Sequence, residues 1–461
     1  MIFTIISTIT FTILAYYILL TVWCLILMIS AFPQVLKKFN QENYGNANER
    51  INENCFVPIT VITPFYNEEK EILNLIYSVQ NSDYKNIKHI LVNDGSTNDG
   101  IELLKKELQL YEVPVAIKQT IKTEKILRCY KSKRFENITL IDKAHSPYNC
   151  GADSINAGIN ACNTPILATI DADTVIKPEA LTRLLFTMLA TPHCVLVSGS
   201  VYVINDNIVE DGKMRTTQFP RHFIGGMQAV EYLRAFLYGR AGLNRLGGAL
   251  CYSGTFSLFE TAMLREIHGF DRTCFSYDAE ITTKIHHYMR KNKYPYTVSH
   301  SPNSFCWTDT PNTLKSYWKQ RSAWQRGMLR QTSEYINMFF NPRFGIVGLI
   351  TFPSYVLFEV FSPVVEFISF ILFPISLFLG VFDFEIFLWF FLFAWGFVGL
   401  TSVAMLFLNQ ISFNKYNKRG DAFRILFLIT IEMFGFRQLR ALCCTVGTFK
   451  YVVNRLKGKP L

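Results

Sequence analysis

The first 36 residues contain no charged side chain, and Lys37 is the first. An apolar run of that length exceeds the roughly 20 residues that span a bilayer. It has neither a basic start nor a small-residue cleavage site, so residues 1–36 read as a transmembrane anchor and not as a cleaved leader. Lys37 and Lys38 follow at once and place the next segment in the cytoplasm. Residues 37–57 are polar and predict a linker. The pattern then changes to short β-branched runs alternating with apolar-periodic stretches. Strands are expected at Ile59–Thr63, Ile87–Val92, Ile138–Ile141, Ile166–Ile170 and Val195–Val201, with helices between them. This alternation predicts an α/β domain over residues 58–335, a mostly parallel sheet wrapped by helices. The basic stretch Lys105–Arg134 interrupts it and predicts an irregular surface excursion.

Residues 336–461 turn apolar again. Phe344–Phe382 is broken by Pro353, Pro363 and Pro374, and Ile386–Asn414 is uncharged. Residues 422–449 carry Arg424, Glu432, Arg437 and Arg440, a mixture that suits an interfacial or re-entrant helix. About three membrane segments are expected here, followed by a basic tail over Lys450–Lys459. Glu359 and Glu366 are seven apart, on one helix face, and carboxylates in an apolar segment mark functional positions.

Composition refines this picture. At 461 residues the chain accommodates one large domain and a membrane portion. The net charge of +10 follows the membrane flanks and loops, fits an anionic nucleotide ligand, and forms no nucleic-acid module. The eleven cysteines include no Cys-x-x-Cys pair and no zinc-like spacing, and they predict reduced thiols.

The candidate chemistry centres on Leu167–Pro178. An apolar run ends at Asp171, and Asp173 follows two positions later. Period-two alternation sends both carboxylates from one face. Two hard oxygen ligands suit Mg²⁺ or Mn²⁺ completed by phosphate oxygens, although a solvated strand-end turn has the same sequence. Asp94, at the end of the second strand, is either a carboxylate for a base or ribose or an ordinary Asx turn. Asn156 and Gly158 lie in a small-residue helix start, where backbone approaches a ligand or a neighbouring element closely. Ser253-Gly254-Thr255 predicts a turn into a short strand. Asp278 heads a helix, where it is either a capping acid or a general base. Gln320, Arg321, Trp324 and Arg326 lie on a basic amphipathic helix over about 312–332. Trp324 offers a sugar-stacking face, and the others offer donors for a diphosphate or an acceptor.

Taken in order, these residues resemble the family-2 glycosyltransferases with a GT-A catalytic domain, and among them the membrane-embedded cellulose, hyaluronan, chitin and poly-N-acetylglucosamine synthases. The resemblance runs from about Pro58 to Arg330. It is carried by Pro64-Phe-Tyr-Asn-Glu-Glu, Asp94-Gly-Ser, Asn156-Ala-Gly, Asp171-Ala-Asp, Ser253-Gly-x-Phe, Gly269-Phe-Asp, Asp278-x-Glu and Gln320-x-x-x-Trp. The fold implied is a Rossmann-like GT-A domain with transmembrane helices at both ends. The resemblance implies that Asp94 binds the uracil or ribose, that Asp171 and Asp173 hold the metal and diphosphate, and that Asp278 deprotonates the acceptor. It implies further that Gln320 and Trp324 line the acceptor end. Asn156, Ser253, Gly254, Arg321 and Arg326 complete the expected binding set. The implied reaction inverts the anomeric carbon. Three positions depart from the family pattern: Gly151 replaces Lys, Tyr277 replaces Glu, and Ala323 replaces Arg. Arg321, Arg326 and Lys143 are the residues available to restore the missing charge.

The expected protein is a multi-pass enzyme of the cell (inner) membrane with a cytoplasmic catalytic domain. It would use a divalent cation (Mg²⁺ or Mn²⁺) and a nucleotide sugar, UDP-glucose or UDP-N-acetylglucosamine by resemblance. It would extend a glycan, alongside membrane lipid and polysaccharide-export partners and with no nucleic acid. Two alternatives remain at this point: a single-addition transferase acting on a lipid-linked acceptor, and a catalytically impaired membrane scaffold.

Overall fold

The computed structural model describes residues 2–43, 57–68, 71–381, 399–404 and 419–458, with isolated helical positions between 384 and 397. Its centre is one ten-stranded sheet in the order β3-β4-β5-β2-β1-β6-β11-β8-β12-β7. The strands are β1 (Ile59–Phe65), β2 (Ile87–Asn93), β3 (Leu110–Val113), β4 (Ile126–Ser132), β5 (Ile138–Lys143), β6 (Ile166–Ile170), β7 (Val175–Ile176), β8 (Cys194–Val203), β11 (Phe256–Glu260) and β12 (Thr297–Thr308). β9 (Val209–Glu210) and β10 (Lys213–Met214) form a separate hairpin. The core strands β5, β2, β1 and β6 are mutually parallel. β11 runs antiparallel between β6 and β8, and β12 runs parallel to β8. The strand runs expected from sequence all appear, each extended by up to two residues at its ends.

Alternation along β1 explains why both sheet faces are covered. Ile59 and Val61 pack with Ile166 and Ala168 under α2 (Glu71–Gln80) and α5 (Ala180–Ala190). Ile62 faces the other way, with Val92 and Ile141, beneath α4 (Cys150–Ala161) and α8 (Tyr277–Lys291). A strand buried on both faces reads as a continuous apolar run, and this one does. Between β2 and β5 lies α3 (Gly100–Glu107), and α6 (Phe223–Arg234) and α7 (Thr261–Glu266) flank β11 in sequence.

Three expectations need correction. Lys105–Arg134 is not an irregular excursion: it supplies β3 and β4, which extend the sheet edge antiparallel to β5. Its charges are interspersed with the buried Ile126, Cys129 and Tyr130 of β4, so the basic composition masked a half-exposed strand. The linker expected over 37–57 begins as helix, because α1 (Ile2–Asn43) continues past the first lysines. Residues 44–56 lie outside the described residues. Glu359 and Glu366 do not share a helix face. Glu359 lies in a π-helical stretch, and a 42° bend separates it from Glu366, leaving Glu359 exposed and Glu366 buried.

Among the described residues one helix, Thr4–Val35, is long and apolar enough to cross a membrane, and Val347–Val360 with α10 (Ser362–Phe378) forms a bent apolar pair. The uncharged run 386–414, expected to span, and the basic loop expected over Lys415–Arg419 fall largely outside the described residues. α1 packs on α10 through Thr10–Ser376 (2.7 Å) and Tyr17–Ser369 (2.9 Å) hydroxyl pairs. The residues read as an interfacial helix form α11 (Arg419–Ile431) and α12 (Arg437–Leu456), with a break at Phe434–Gly435. α12 lies close against α9 (Leu314–Glu334), where a Cβ on Gly447 would reach 2.7 Å from the Ser322 carbonyl oxygen. Ion pairs Glu366–Arg437 (2.7 Å), Arg440–Glu231 (3.6 Å) and Arg234–Glu432 tie these helices to each other and to α6.

Arg234 is largely buried and Glu432 is its carboxylate partner, so Glu432→Ala should cost about 3–5 kcal/mol by stranding a buried charge. The Tm of detergent-purified protein should fall accordingly, and Arg234→Met combined with Glu432→Ala should recover most of the loss. An unchanged Tm in the single variant would remove this pair from the stability argument.

Candidate active site

Loops at the carboxyl ends of parallel strands form the usual ligand crevice of an open α/β sheet. Here that edge gathers the ends of β1, β2, β6 and β12. β11 runs the opposite way and brings its amino end there too: Phe256 pairs with Ile170, so Ser253-Gly254-Thr255 sits beside Asp171. The Thr255 hydroxyl donates to Asp171 Oδ2 at 2.8 Å, and the Thr308 hydroxyl, at the end of β12, donates to Asp173 Oδ1 at 2.9 Å. Burial pushes Asp171 up to about 7, with repulsion from Asp173 adding to it. Burial likewise pushes Asp173 up to about 6, with Asp309 adding to it and the threonine hydroxyls opposing it.

Asp278 occupies the first turn of α8, where a helix N-terminus favours an anion. The Gly254 amide donates to its Oδ2 at 3.4 Å. Burial raises its carboxyl, with the Ala279 and Gly254 amides opposing the shift. A Cβ on Gly254 would lie 2.9 Å from Asp278 Cβ, so glycine is what lets the turn approach α8. The structure thus brings Asp171, Asp173, Ser253, Gly254 and Asp278 to one place. Among the described residues no group of three or more His, Cys, Asp or Glu could hold a metal. Two half-buried carboxylates, one of them raised by the other, fit a cation that completes its shell with diphosphate oxygens and water.

α9 reaches this cleft through its backbone: the Ser276 hydroxyl donates to the Trp324 carbonyl at 3.5 Å. Gln320 Oε1 is buried and accepts no hydrogen bond from a described residue. Arg326 lies 5.9 Å from the Phe275 ring, next to the Tyr277–Asp278 turn.

Other expected residues are committed elsewhere. Asn156 is buried and clamps Phe270: its Nδ2 donates to the Phe270 carbonyl and its Oδ1 accepts the Phe270 amide, both at 2.8 Å. Its amide is used up there, which gives it a part in holding the Gly269–Phe270 turn. Arg321 pairs with Glu231 at 2.6 Å and stacks on Trp324 at 4.6 Å, turned into the helix interface. Lys143 is fully buried between Asp94 and Asp153, 2.6 Å from the latter, so neither cation is free to restore the charge missing at Gly151.

Asp94 stands at the end of β2 but is itself buried. Its carboxylate accepts from Lys143 and from the Ser146 amide (3.2 Å) and meets His145 Nδ1 at 2.7 Å. The accessible groups above it are His145 and Tyr66, whose rings stack at 4.7 Å. Gly95 adopts φ +68°, and a Cβ there would meet the His145 amide nitrogen at 2.8 Å. His145, Thr255 and Thr308 were missed from sequence. Each adjoins or ends a strand at this edge, a positional signal that carries weight only once the strand order is known.

The comparisons agree with this geometry. The family described as "Glycosyltransferase like family 2" matches residues 57–327. The chain belongs to glycosyltransferase-like family 2. Poly-beta-1,6-N-acetyl-D-glucosamine synthase of Staphylococcus epidermidis is 22% identical to this family-2 glycosyltransferase over 270 residues, 58% of this chain and 54% of the relative. The synthase of the same name from Staphylococcus aureus strain COL is 22% identical over 282 residues, 61% of this chain and 57% of the relative. The chain therefore spans little more than half the length of the curated relatives it matches. Among solved structures, the mannosyltransferase PcManGT from Pyrobaculum calidifontis, in complex with GDP-Man and Mn²⁺, has a TM-score of 0.51 at 14% identity, covering 94% of this chain and 99% of that one. That likeness shows the fold, a mixed α/β domain of GT-A type.

Beside the cleft, burial pushes Glu280 up to about 7, with the Tyr335 hydroxyl donating to it at 2.7 Å. A raised carboxyl makes the folded state hold a proton that the unfolded state releases. Stability should therefore rise as pH falls from 8 through 7 toward the unfolded value near 4.3. Glu280→Gln should flatten that part of the Tm–pH profile and raise Tm at pH 8. An unaltered profile would show that Glu280 is not its source.

Proposed function

We propose that the protein is a membrane-bound inverting glycosyltransferase that transfers a sugar from a nucleotide sugar to a growing polysaccharide. The observation that carries this reading is the convergence of Asp171, Asp173 and Asp278 around the Ser253–Thr255 turn. In this reading Asp278 accepts the proton of an acceptor hydroxyl as its oxygen attacks the anomeric carbon. The bond from that carbon to the diphosphate breaks, and the nucleoside diphosphate leaves. Attack opposite the leaving group inverts the carbon. Asp171 and Asp173 would hold Mn²⁺ or Mg²⁺, which stabilises the negative charge of the leaving diphosphate. Thr255 and Thr308 keep both carboxylates aimed without neutralising them.

The names of the relatives favour N-acetylglucosamine, from UDP-N-acetylglucosamine, as the sugar added repeatedly. UDP-glucose is the neutral alternative. Trp324 and Gln320 on α9 would line the acceptor end, with Arg326 at its mouth. Asp94 would act on the base side through the Tyr66–His145 shelf it anchors. We assign residues 58–335 to the cytoplasmic catalytic domain and 336–461 to a C-terminal membrane region. α1 and the bent pair at 347–378 are its described membrane-facing elements, which supports a multi-pass protein of the cell membrane.

The test is nucleoside-diphosphate release from detergent-purified protein, screened over UDP-N-acetylglucosamine, UDP-glucose, UDP-galactose, UDP-glucuronate and GDP-mannose, with and without Mn²⁺ or Mg²⁺. Metal-dependent release from one UDP-sugar is expected, lost at least a hundredfold in Asp278→Asn, in keeping with the weight of a general base. A ladder of products marks polymerisation, and a single product on a lipid would replace that part of the reading. Absence of both release and donor binding would refute it.

A further inference from the structure

Tyr277 immediately precedes Asp278, and its ring is wedged between two glycines on opposite walls of the cleft. A Cβ on Gly151, in α4, would lie 3.0 Å from its Cε1 and 3.1 Å from its hydroxyl oxygen. A Cβ on Gly254, in the turn that contacts Asp278, would lie 3.5 Å from its Cε2. Phe270 supports the ring from a third side, edge to face at 5.9 Å. Two of the three departures from the family pattern, Gly151 and Tyr277, are thus one feature: the side chain absent from α4 is the space the tyrosine ring occupies. The hydroxyl makes no hydrogen bond to a described residue, although it lies among acidic groups at the heart of the cleft.

Three of the cations near this wall are held by carboxylates. Lys143 is held by Asp94 and Asp153, Arg272 by Glu124 and Asp153, and Arg321 by Glu231. Arg240 donates to the Cys251 carbonyl at 3.1 Å and stacks on Phe236 at 4.2 Å. A sugar entering beside Asp171, Asp173 and Asp278 meets the neutral phenol of Tyr277, while Arg240, which acts on Asp278, and Arg326, whose Nε makes no hydrogen bond to a described residue, keep their charges. A sugar hydroxyl or N-acetyl group there finds a hydrogen-bonding partner in the phenol.

We propose that Tyr277, in the space left by Gly151, is a specificity-determining residue for the donor sugar, donating its hydroxyl to a neutral hexose or N-acetylhexosamine. This rests on the glycosyltransferase reading above.

The experiment compares wild type, Tyr277→Phe, Gly151→Ala and the double variant by nucleoside-diphosphate release with UDP-N-acetylglucosamine, UDP-glucose and UDP-glucuronate. Tyr277→Phe should lower kcat/KM for the preferred neutral donor about fivefold, the weight of one neutral hydrogen bond, chiefly through KM and with little change in Tm. Gly151→Ala should push the ring and lower the same quantity. The double variant should be no worse than the weaker of its parents, because both changes remove one contact. Tyr277→Phe within twofold of wild type for every donor would overturn the proposal and leave the ring a packing element. A wild type that prefers UDP-glucuronate would overturn it equally, while the transferase reading stands. Where turnover is absent but calorimetry shows donor binding, the Kd values of the four proteins decide by the same criterion. If the wild type binds none of the five donors screened above, the transferase reading and this inference fall together.

Discussion

Three carboxylates that repel one another must be kept together in a poorly solvated cleft. That requirement shapes the region around Asp171, Asp173 and Asp278. An internal lysine or arginine would neutralise them and remove the negative charge that a cation or a departing proton needs. The protein instead uses neutral donors: the hydroxyls of Thr255 and Thr308 and the amide of Gly254. Such bonds fix direction while leaving most of the charge in place. The antiparallel insertion of β11 beside β6 supplies two of the three donors, and the end of β12 supplies the third.

Two of the buried cations nearby are spent elsewhere. Lys143 is fully buried and serves Asp94 and Asp153, while Arg272 serves Asp153 and Glu124. These pairs lock α4 to the ends of β2 and β5 and to the turn before α8. A buried charge is tolerated only when paired, and once paired it is a rigid fixture. The same solution recurs at the junction with the C-terminal helices, where Glu231 takes Arg321 and Arg440, and Glu366 takes Arg437. Arg321 also stacks on Trp324, so the helix expected to meet the acceptor is tied through one guanidinium to α6 and through close packing to α12.

The sequence disclosed what depends on local periodicity. Two carboxylates two residues apart at a strand end had to share a face, and the small-residue helix at Cys150 and the acidic head of α8 were readable from composition alone. Pairings across long separations were not readable. Arg321 and Glu231 are 90 positions apart, and Lys143 and Asp94 are 49 apart, so a basic residue near a ligand motif looked available when it was already bound. Asn156 misled for a related reason. A small-residue motif is compatible with a ligand or with a neighbouring turn, and here the turn at Phe270 took both ends of its amide. The edge strand β3 and its neighbour β4 were hidden because half-exposed strands carry charges among their buried residues and resemble a loop.

Gly151 and Tyr277 show how a departure from a family pattern should be read in space before it is counted as a loss. Taken singly, each removes a charge and argues for weakened catalysis. Taken together, they are complementary in volume, since the ring fills what the glycine vacates, and a random loss would have left a void beside Asp278 costing stability. The carboxylates nearest the ring, Asp171 and Asp278, retain their neutral donors. A wall rebuilt around an intact set of acidic groups is the expected form of altered selectivity. A decayed site would first lose the groups that are most costly to keep, and three carboxylates in a buried cleft are the costliest here.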